Sequence, residues 1–269
     1  MKTDKLVNQG AEIVYHIRGE FDQAVLIMGR PPLCGSYYLD APHRQGLFDR
    51  LNQAGWAVAL FDPAGLWQSG QADRYDLNRW VSDLAAVVQA LPHKKLALWG
   101  TTLASWPVLD YARRPDAGVD RIVLEWPVLF FSGPGGFASA RDKGDGYRHA
   151  EELRAPTVEY FMEMEKVYED IYGTETMLRF ARRLAEECNK PGAAVYPYFR
   201  SLVEAEPNDF LQTYASPVAI PFSDPSPWGD AGAIRAFGEK IQAALLLERP
   251  LAPWDDDDES FSRMLAFLE

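Results

Sequence analysis

The sequence predicts an α/β domain: a mostly parallel central sheet flanked by helices, with a helical insertion after the sixth core strand. Three observations lead there. Short continuous apolar runs, such as Ala24–Met28, Ala57–Phe61 and Lys95–Trp99, have the length and density of strands buried on both faces. They alternate with stretches of 3.6-residue apolar spacing, which is the pattern of strand–helix–strand units closing a parallel sheet. From about Ser132 the strand pattern stops, and it returns only at Pro217–Phe222.

The elements follow in order. Ala11–Arg18 reads as a strand stopped at the Gly19-Glu20 turn, and Ala24–Met28 as the next, buried one. Beyond a Pro/Gly-rich loop, Leu47, Leu51 and Ala54 share a helical face that Gly55 ends. After the strand Ala57–Phe61, Asp76 is placed to cap a helix whose stripe is Trp80, Leu84, Val87, Val88 and Leu91. Lys95–Trp99 is a strand, Leu103–Arg113 a helix and Arg121–Leu124 a strand. The break Gly133-Pro134-Gly135-Gly136 opens a charged stretch to Arg154. Two helical segments follow, over Tyr160–Ile171 and Leu178–Cys188, and a short one over Tyr196–Ala205. The chain closes with strand Pro217–Phe222, a helix around Ala231–Ile241, strand Ala243–Glu248 and helix Ser260–Leu268. The expected organisation is a core of residues 1–131 and 213–269 with a helical cap at 132–212.

Composition narrows the function. The chain of 269 residues is 47% hydrophobic and 25% charged, an ordinary globular balance that excludes global disorder. Its net charge of −12 repels phosphate backbones and anionic lipid, so neither nucleic acid nor a membrane surface is an expected partner. The expected partner is a small-molecule substrate or ligand. Cys34 and Cys188 make neither a disulfide framework nor a metal-site spacing. No cofactor is implied. The start, Met-Lys-Thr-Asp-Lys, carries no apolar signal segment, and no run has the length of a membrane span, so the expected compartment is the cytoplasm. Asp255–Glu259 is read as a solvated acidic helix start rather than a metal site.

Four short motifs, in this order, carry a resemblance. Ile27-Met28-Gly29-Arg30 ends the third strand. Asp62-Pro63-Ala64-Gly65-Leu66-Trp67-Gln68-Ser69 follows the fourth. Trp99-Gly100-Thr101-Thr102-Leu103-Ala104 joins a strand to a helix. Phe222-Ser223-Asp224-Pro225 follows the seventh strand. Together they resemble the α/β-hydrolase superfamily, in its form with a helical cap after core strand six. The resemblance implies a capped pocket over the nucleophile elbow G-x-S-x-G, an acid after strand seven and a histidine after the last strand.

This chain departs from that pattern. The elbow residue is Thr102, whose methyl crowds an attack and restricts χ1. The family's His-Gly and D-x-R-G-H-G are altered at Met28, Ala64 and Leu66. The four histidines stand at 16, 43, 93 and 149, so the last loop, Arg249–Asp258, holds none. Losing the base of a serine hydrolase costs on the order of 10⁶ in kcat. A standard Ser-His-Asp hydrolase is therefore not expected.

The frame that the resemblance implies still offers backbone N–H groups of Arg30 and Leu103 as an oxyanion hole. Candidate catalytic groups are Thr102, Asp224, Glu125 and His43. Asp224 is a base or a leftover strand-end carboxylate. Glu125, at the end of strand six, is an acid/base or a hydrogen-bonded tie to the cap. His43 reaches the cavity or caps a helix. Candidate ligand-contacting residues are Tyr37, Tyr38, Cys34, Trp67, Trp126, His149, Tyr160, Met164 and Trp254, with core packing the competing role. The Met and aromatic side chains of the cap suit a bulky apolar or aromatic ligand. Three functions remain open. The first is non-hydrolytic acid/base chemistry of lyase, isomerase or cyclase type on a carbonyl compound. The second is a slow esterase or thioesterase using Thr102, and the third a non-catalytic binding or interaction protein that keeps only the pocket.

Overall fold

A computed structural model describes residues 1–128, 148, 150–164, 166–205, 214–224, 231–250, 254 and 258–269. Strands β1 (Lys2–Asn8), β2 (Ala11–Arg18), β3 (Gln23–Met28), β4 (Trp56–Phe61), β5 (Lys95–Thr101), β6 (Arg121–Glu125), β7 (Val218–Phe222) and β8 (Leu245–Glu248) form one sheet in the order β1-β2-β4-β3-β5-β6-β7-β8. β1 and β2 run antiparallel; β4, β3, β5, β6, β7 and β8 are parallel neighbours. Every residue of β4 and β7 is buried, as continuous apolar runs require when helices cover both faces.

The helices joining these strands are α1 (Gly35–Tyr38), α2 (Pro42–Gln53), α3 (Leu77–Ala90) and α4 (Ser105–Ala112). Asp76 caps α3 as expected, its carboxylate accepting from Arg79 N at 2.8 Å. Between β6 and β7 the described chain is helical: α5 (Val158–Met164), α6 (Glu169–Tyr172), α7 (Thr174–Asn189) and α8 (Val195–Glu204). α9 (Ala231–Lys240) and α10 (Asp258–Leu268) flank β8.

Several elements differ from the sequence reading: the segment expected over Tyr160–Ile171 is split into α5, a 3₁₀ turn Lys166–Tyr168 and α6, and α1 stands in the expected loop after β3. Lys2–Asn8 forms the edge strand β1, which the sequence hides because neither of its faces is fully buried and Lys2, Asp4 and Lys5 interrupt the apolar pattern. The helix expected from Leu103 begins with a 3₁₀ turn, Thr102–Ala104, before α4. The Asp255–Asp257 stretch and the Gly133–Gly136 break lie outside the described residues.

Sheet register positions the site. Met28 pairs with Gly100, and Thr101 with Glu125, so the C-terminal ends of β3, β5 and β6 finish side by side. Ligands of parallel α/β sheets collect at that edge, because the strand-to-helix loops diverge there. A larger cavity of about 660 Å³ lies at the opposite end, over Ala24 and Ala57 near the starts of β3 and β4.

Candidate active site

The turn after β5 runs through Thr102–Ala104 into α4. Gly100 is required sterically: a Cβ there would stand 2.8 Å from Ala104 O. Thr102 takes φ +49°, a left-handed backbone that is costly for a β-branched residue. Its Oγ1 is buried and has no hydrogen-bond partner among the described residues. Val128 N donates to Thr102 O at 3.3 Å, and Trp106 Nε1 to Val128 O at 3.0 Å, tying the turn to the chain after β6. Trp126, just past β6, is also left-handed at φ +47°. Strained backbone at adjacent strand ends is a mark of functional sites.

Thr102 faces a chamber of about 30 Å³ lined by Arg30, Leu33, Tyr38, His43, Arg44, Thr101, Trp126 and Tyr168. A neighbouring chamber of about 10 Å³ shares His43, Arg44, Trp126 and Tyr168 and adds Glu125, Arg249 and Trp254. Each has room for roughly one or two waters. The loop after β3 makes the first wall. It folds so tightly that a Cβ on Gly29 would lie 1.6 Å from Leu33 O and 2.5 Å from the Tyr38 hydroxyl. Tyr38 OH and Thr101 Oγ1 hydrogen-bond at 2.8 Å, and Thr101 Oγ1 donates to Met28 O at 3.2 Å.

His43, on the first turn of α2, is buried and stacks on Tyr168 with ring centroids 4.5 Å apart and planes 9° from parallel. Burial, helped by the charge of Arg44, holds its pKa well below the usual histidine value, so at neutral pH the imidazole is uncharged. Glu125 is a structural acceptor. Its Oε2 takes Arg44 Nη1 at 2.7 Å and Trp99 Nε1 at 3.2 Å, and its Oε1 takes Trp254 Nε1 at 2.8 Å. Asp224 lies on the surface, away from both chambers, 3.4 Å from Arg235, which also pairs with Glu248.

The other candidates divide by position. Met164 reaches the site through its sulfur, which accepts from Arg30 Nη2. Tyr37 is fully buried against Phe180 and Trp67 and lines neither chamber. Cys34 is buried with Sγ 3.7 Å from Pro32 O, and burial together with Asp62 and Glu187 raises its thiol pKa. Trp67 donates to Pro32 O at 2.7 Å, and Tyr160 packs edge-on against Phe161. His149 lies outside the described residues. Of the cap's aromatic side chains, Tyr168 is the one that lines the elbow chamber among the described residues; Phe161 and Phe180 pack the core. The backbone N–H of Arg30 and of Leu103 stand where the fold places them, one after β3 and one following Thr102 in its turn.

Sequence reasoning missed Arg44, and it missed the side chain of Arg30. Arg44 had a signal: with Leu47, Phe48 and Leu51 it lies on the buried face of α2, and a cation in such a stripe requires a buried partner. Among the described residues no cluster of His, Cys, Asp and Glu is arranged to hold a metal ion, and no helix is long and apolar enough to cross a membrane.

With this arrangement of sheet, elbow and capping helices, solved structures can be compared. An esterase from Exiguobacterium antarcticum superposes with a TM-score of 0.77 at 14% identity, covering 97% of this chain and 98% of that one. A bromoperoxidase from Bacillus anthracis matches with a TM-score of 0.77 at 17% identity, over 98% and 99% of the two chains. The chain has the α/β-hydrolase fold. A third structure of this fold, the bottromycin epimerase BotH bound to bottromycin A2, matches with a TM-score of 0.69 at 15% identity over all of both chains. No protein-family model and no curated protein matches the chain. At these identities the likeness concerns the α/β-hydrolase fold and not the reaction.

Proposed function

We propose that this α/β-hydrolase-fold protein is an enzyme that works without a hydrolytic triad, moving a proton at the carbon next to the carbonyl of a small organic molecule. The observation that carries the reading is the pairing of groups in the elbow chamber. An unpartnered Thr102 hydroxyl and an uncharged, buried His43 face the same small space, with no hydrogen bond between them. Hydrolysis through an acyl-enzyme needs the nucleophile hydrogen-bonded to its base; proton transfer needs the base free to meet the substrate. The residues 132–212 act in this reading as the cap over the pocket, with Tyr168 as its contact to the site.

The chemistry runs as follows. The substrate carbonyl oxygen sits against the N–H groups of Arg30 and Leu103 and the Thr102 hydroxyl. His43 takes the proton from the adjacent carbon, the C–H electron pair moves into the carbonyl, and an enolate forms in a site with little water. Returning the proton to the same or another carbon gives an isomerase or epimerase, and expulsion of a neighbouring group gives a lyase. The enolate charge raises the His43 pKa during the step, which offsets the weakness of a low-pKa base. That one solved structure of this fold is an epimerase supports such use of the frame.

The test is solvent deuterium incorporation next to the carbonyl of small ketones, aldehydes and thioesters, followed by NMR. Exchange is expected in the native protein and in Thr102→Ala at a reduced rate, and its loss in His43→Gln. Covalent labelling of Thr102 by a fluorophosphonate, with all turnover abolished in Thr102→Ala, would instead make the protein a slow esterase. Ligand binding with no exchange and no hydrolysis would make it a binding protein.

A further inference from the structure

We propose that the guanidinium of Arg30 is the anchor for a carboxylate on the ligand, so that the chamber over Thr102 takes a small carboxylic acid. The inference rests on the same chamber being the ligand site and adds the chemical class of what enters it.

Arg30 is only 6% exposed and lines the chamber beside Thr102 and His43. A buried guanidinium is almost always paired, because removing the charge from water costs several kcal/mol unless an anion replaces the lost solvation. Among the described residues Arg30 has no carboxylate partner. Its one hydrogen-bond contact, through Nη2, is to the Met164 sulfur, a weak and uncharged acceptor.

Among the described residues, the buried acids Glu125, Glu187 and Asp62 are committed elsewhere. Glu125 is held by Arg44 at 2.7 Å, and Glu187 by Lys190 at 2.6 Å and by Trp67 N at 2.6 Å. Asp62 is held by Ser36 and Gln68. The Cys188 thiol, which lies within the field of Arg30, is pushed up by burial and by Glu187, so it supplies no negative charge. His43 is uncharged. The chamber therefore carries a positive charge that the described protein does not answer, in a chain whose net charge is −12. A carboxylate fits the planar fork of Arg in a bidentate pair. At about 30 Å³, the room of one or two waters, the space takes the carboxylate end of a compact acid and excludes a large one.

The experiment is thermal unfolding of the full chain at pH 7 against increasing acetate and pyruvate, with acetamide, acetone, chloride and inorganic phosphate as comparison series. Ligand binding to the folded state raises Tm with concentration in a saturable way. Pyruvate and acetate are expected to do so, and acetamide, acetone and chloride are not. Arg30→Met is expected to unfold at the same temperature as the native protein or higher without anion, since it removes an uncompensated buried charge. Its carboxylate affinity is expected to fall roughly tenfold to a hundredfold, as for loss of a charge-assisted pair. Arg30→Lys is expected to recover part of it. Equal stabilisation by acetone, stabilisation by phosphate but not carboxylates, or undiminished carboxylate binding in Arg30→Met overturns the proposal. Carboxylate binding without deuterium exchange sinks the proton-transfer reading alone. Exchange on neutral ketones that Arg30→Met leaves unchanged sinks the carboxylate anchor alone.

Discussion

Trp254 donates its indole N–H to Glu125 Oε1 at 2.8 Å, joining the loop after the last strand to the end of β6. The relationship matters because that loop is where the fold's hydrolytic members place their histidine. Here that loop carries Trp254, which is held on three sides. Arg249 lies 3.9 Å over its ring, Trp99 packs edge-on with centroids 5.4 Å apart, and Arg50 donates to its carbonyl at 2.8 Å. Glu125 is thereby a strut joining α2, β5 and this loop.

Trp254→Phe removes the one donor to Oε1, among the described residues, of a fully buried carboxylate while keeping most of the ring volume. Hydrogen bonds to charged groups contribute about 1.5–3 kcal/mol, and a loss of that size is expected in urea unfolding. A change under about 0.5 kcal/mol would show that Glu125 is satisfied without the indole.

Arg44→Met leaves Glu125 buried and charged without its ion partner, and is expected to cost about 3–5 kcal/mol. The double variant Arg44→Met with Glu125→Gln should regain a substantial part of that. An uncharged amide needs no counter-ion, and its carbonyl still accepts from an indole N–H. A double-mutant cycle in urea measures the coupling, and strict additivity would contradict the pairing.

Thr102→Gly relieves a left-handed β-branched residue at the elbow. Strain of about 1–3 kcal/mol is released, less about 0.5–1 kcal/mol for the freer unfolded chain, so stability is expected to rise by about 1 kcal/mol. That corresponds to a Tm increase of about 2–4 °C. A fall in Tm would show that the Thr102 side chain packs better than its backbone is strained.

His43 contributes a pH dependence of definite sign. Its folded pKa lies below the ordinary 6.5, so below about pH 6.5 the unfolded chain binds a proton that the folded one refuses. The stability present above that value is lost as pH falls, by at most about 1.4 kcal/mol per pH unit for one group. Asp62 acts oppositely: burial, partly offset by Ser36 and Gln68, raises its pKa to about 6 from 3.8, and its contribution falls as pH rises through 6. Comparing the native protein with His43→Phe cancels Asp62 and keeps a ring on Tyr168. The variant is expected to gain relative stability between pH 7 and pH 5; parallel stability curves would show that His43 titrates normally.

The sequence by itself determined the sheet, the elbow and the absence of a histidine in the last loop. Those features are written locally, in apolar runs of strand length, in glycines whose Cβ would collide with neighbouring backbone, and in residue identity. It hid β1 because an edge strand in water needs no apolar pattern. It named Glu125 and Trp254 as site candidates yet did not reveal that they bind each other, because their pairing spans 129 positions and depends on how β6 and the loop after β8 meet. Tertiary structure alone decided that Glu125 is tied to Arg44, that Asp224 lies at the surface, and that Arg30 is buried with no acid partner among the described residues. Each is a matter of which charges lose their water together, and burial is a property of the assembled layers rather than of any residue's place in the chain.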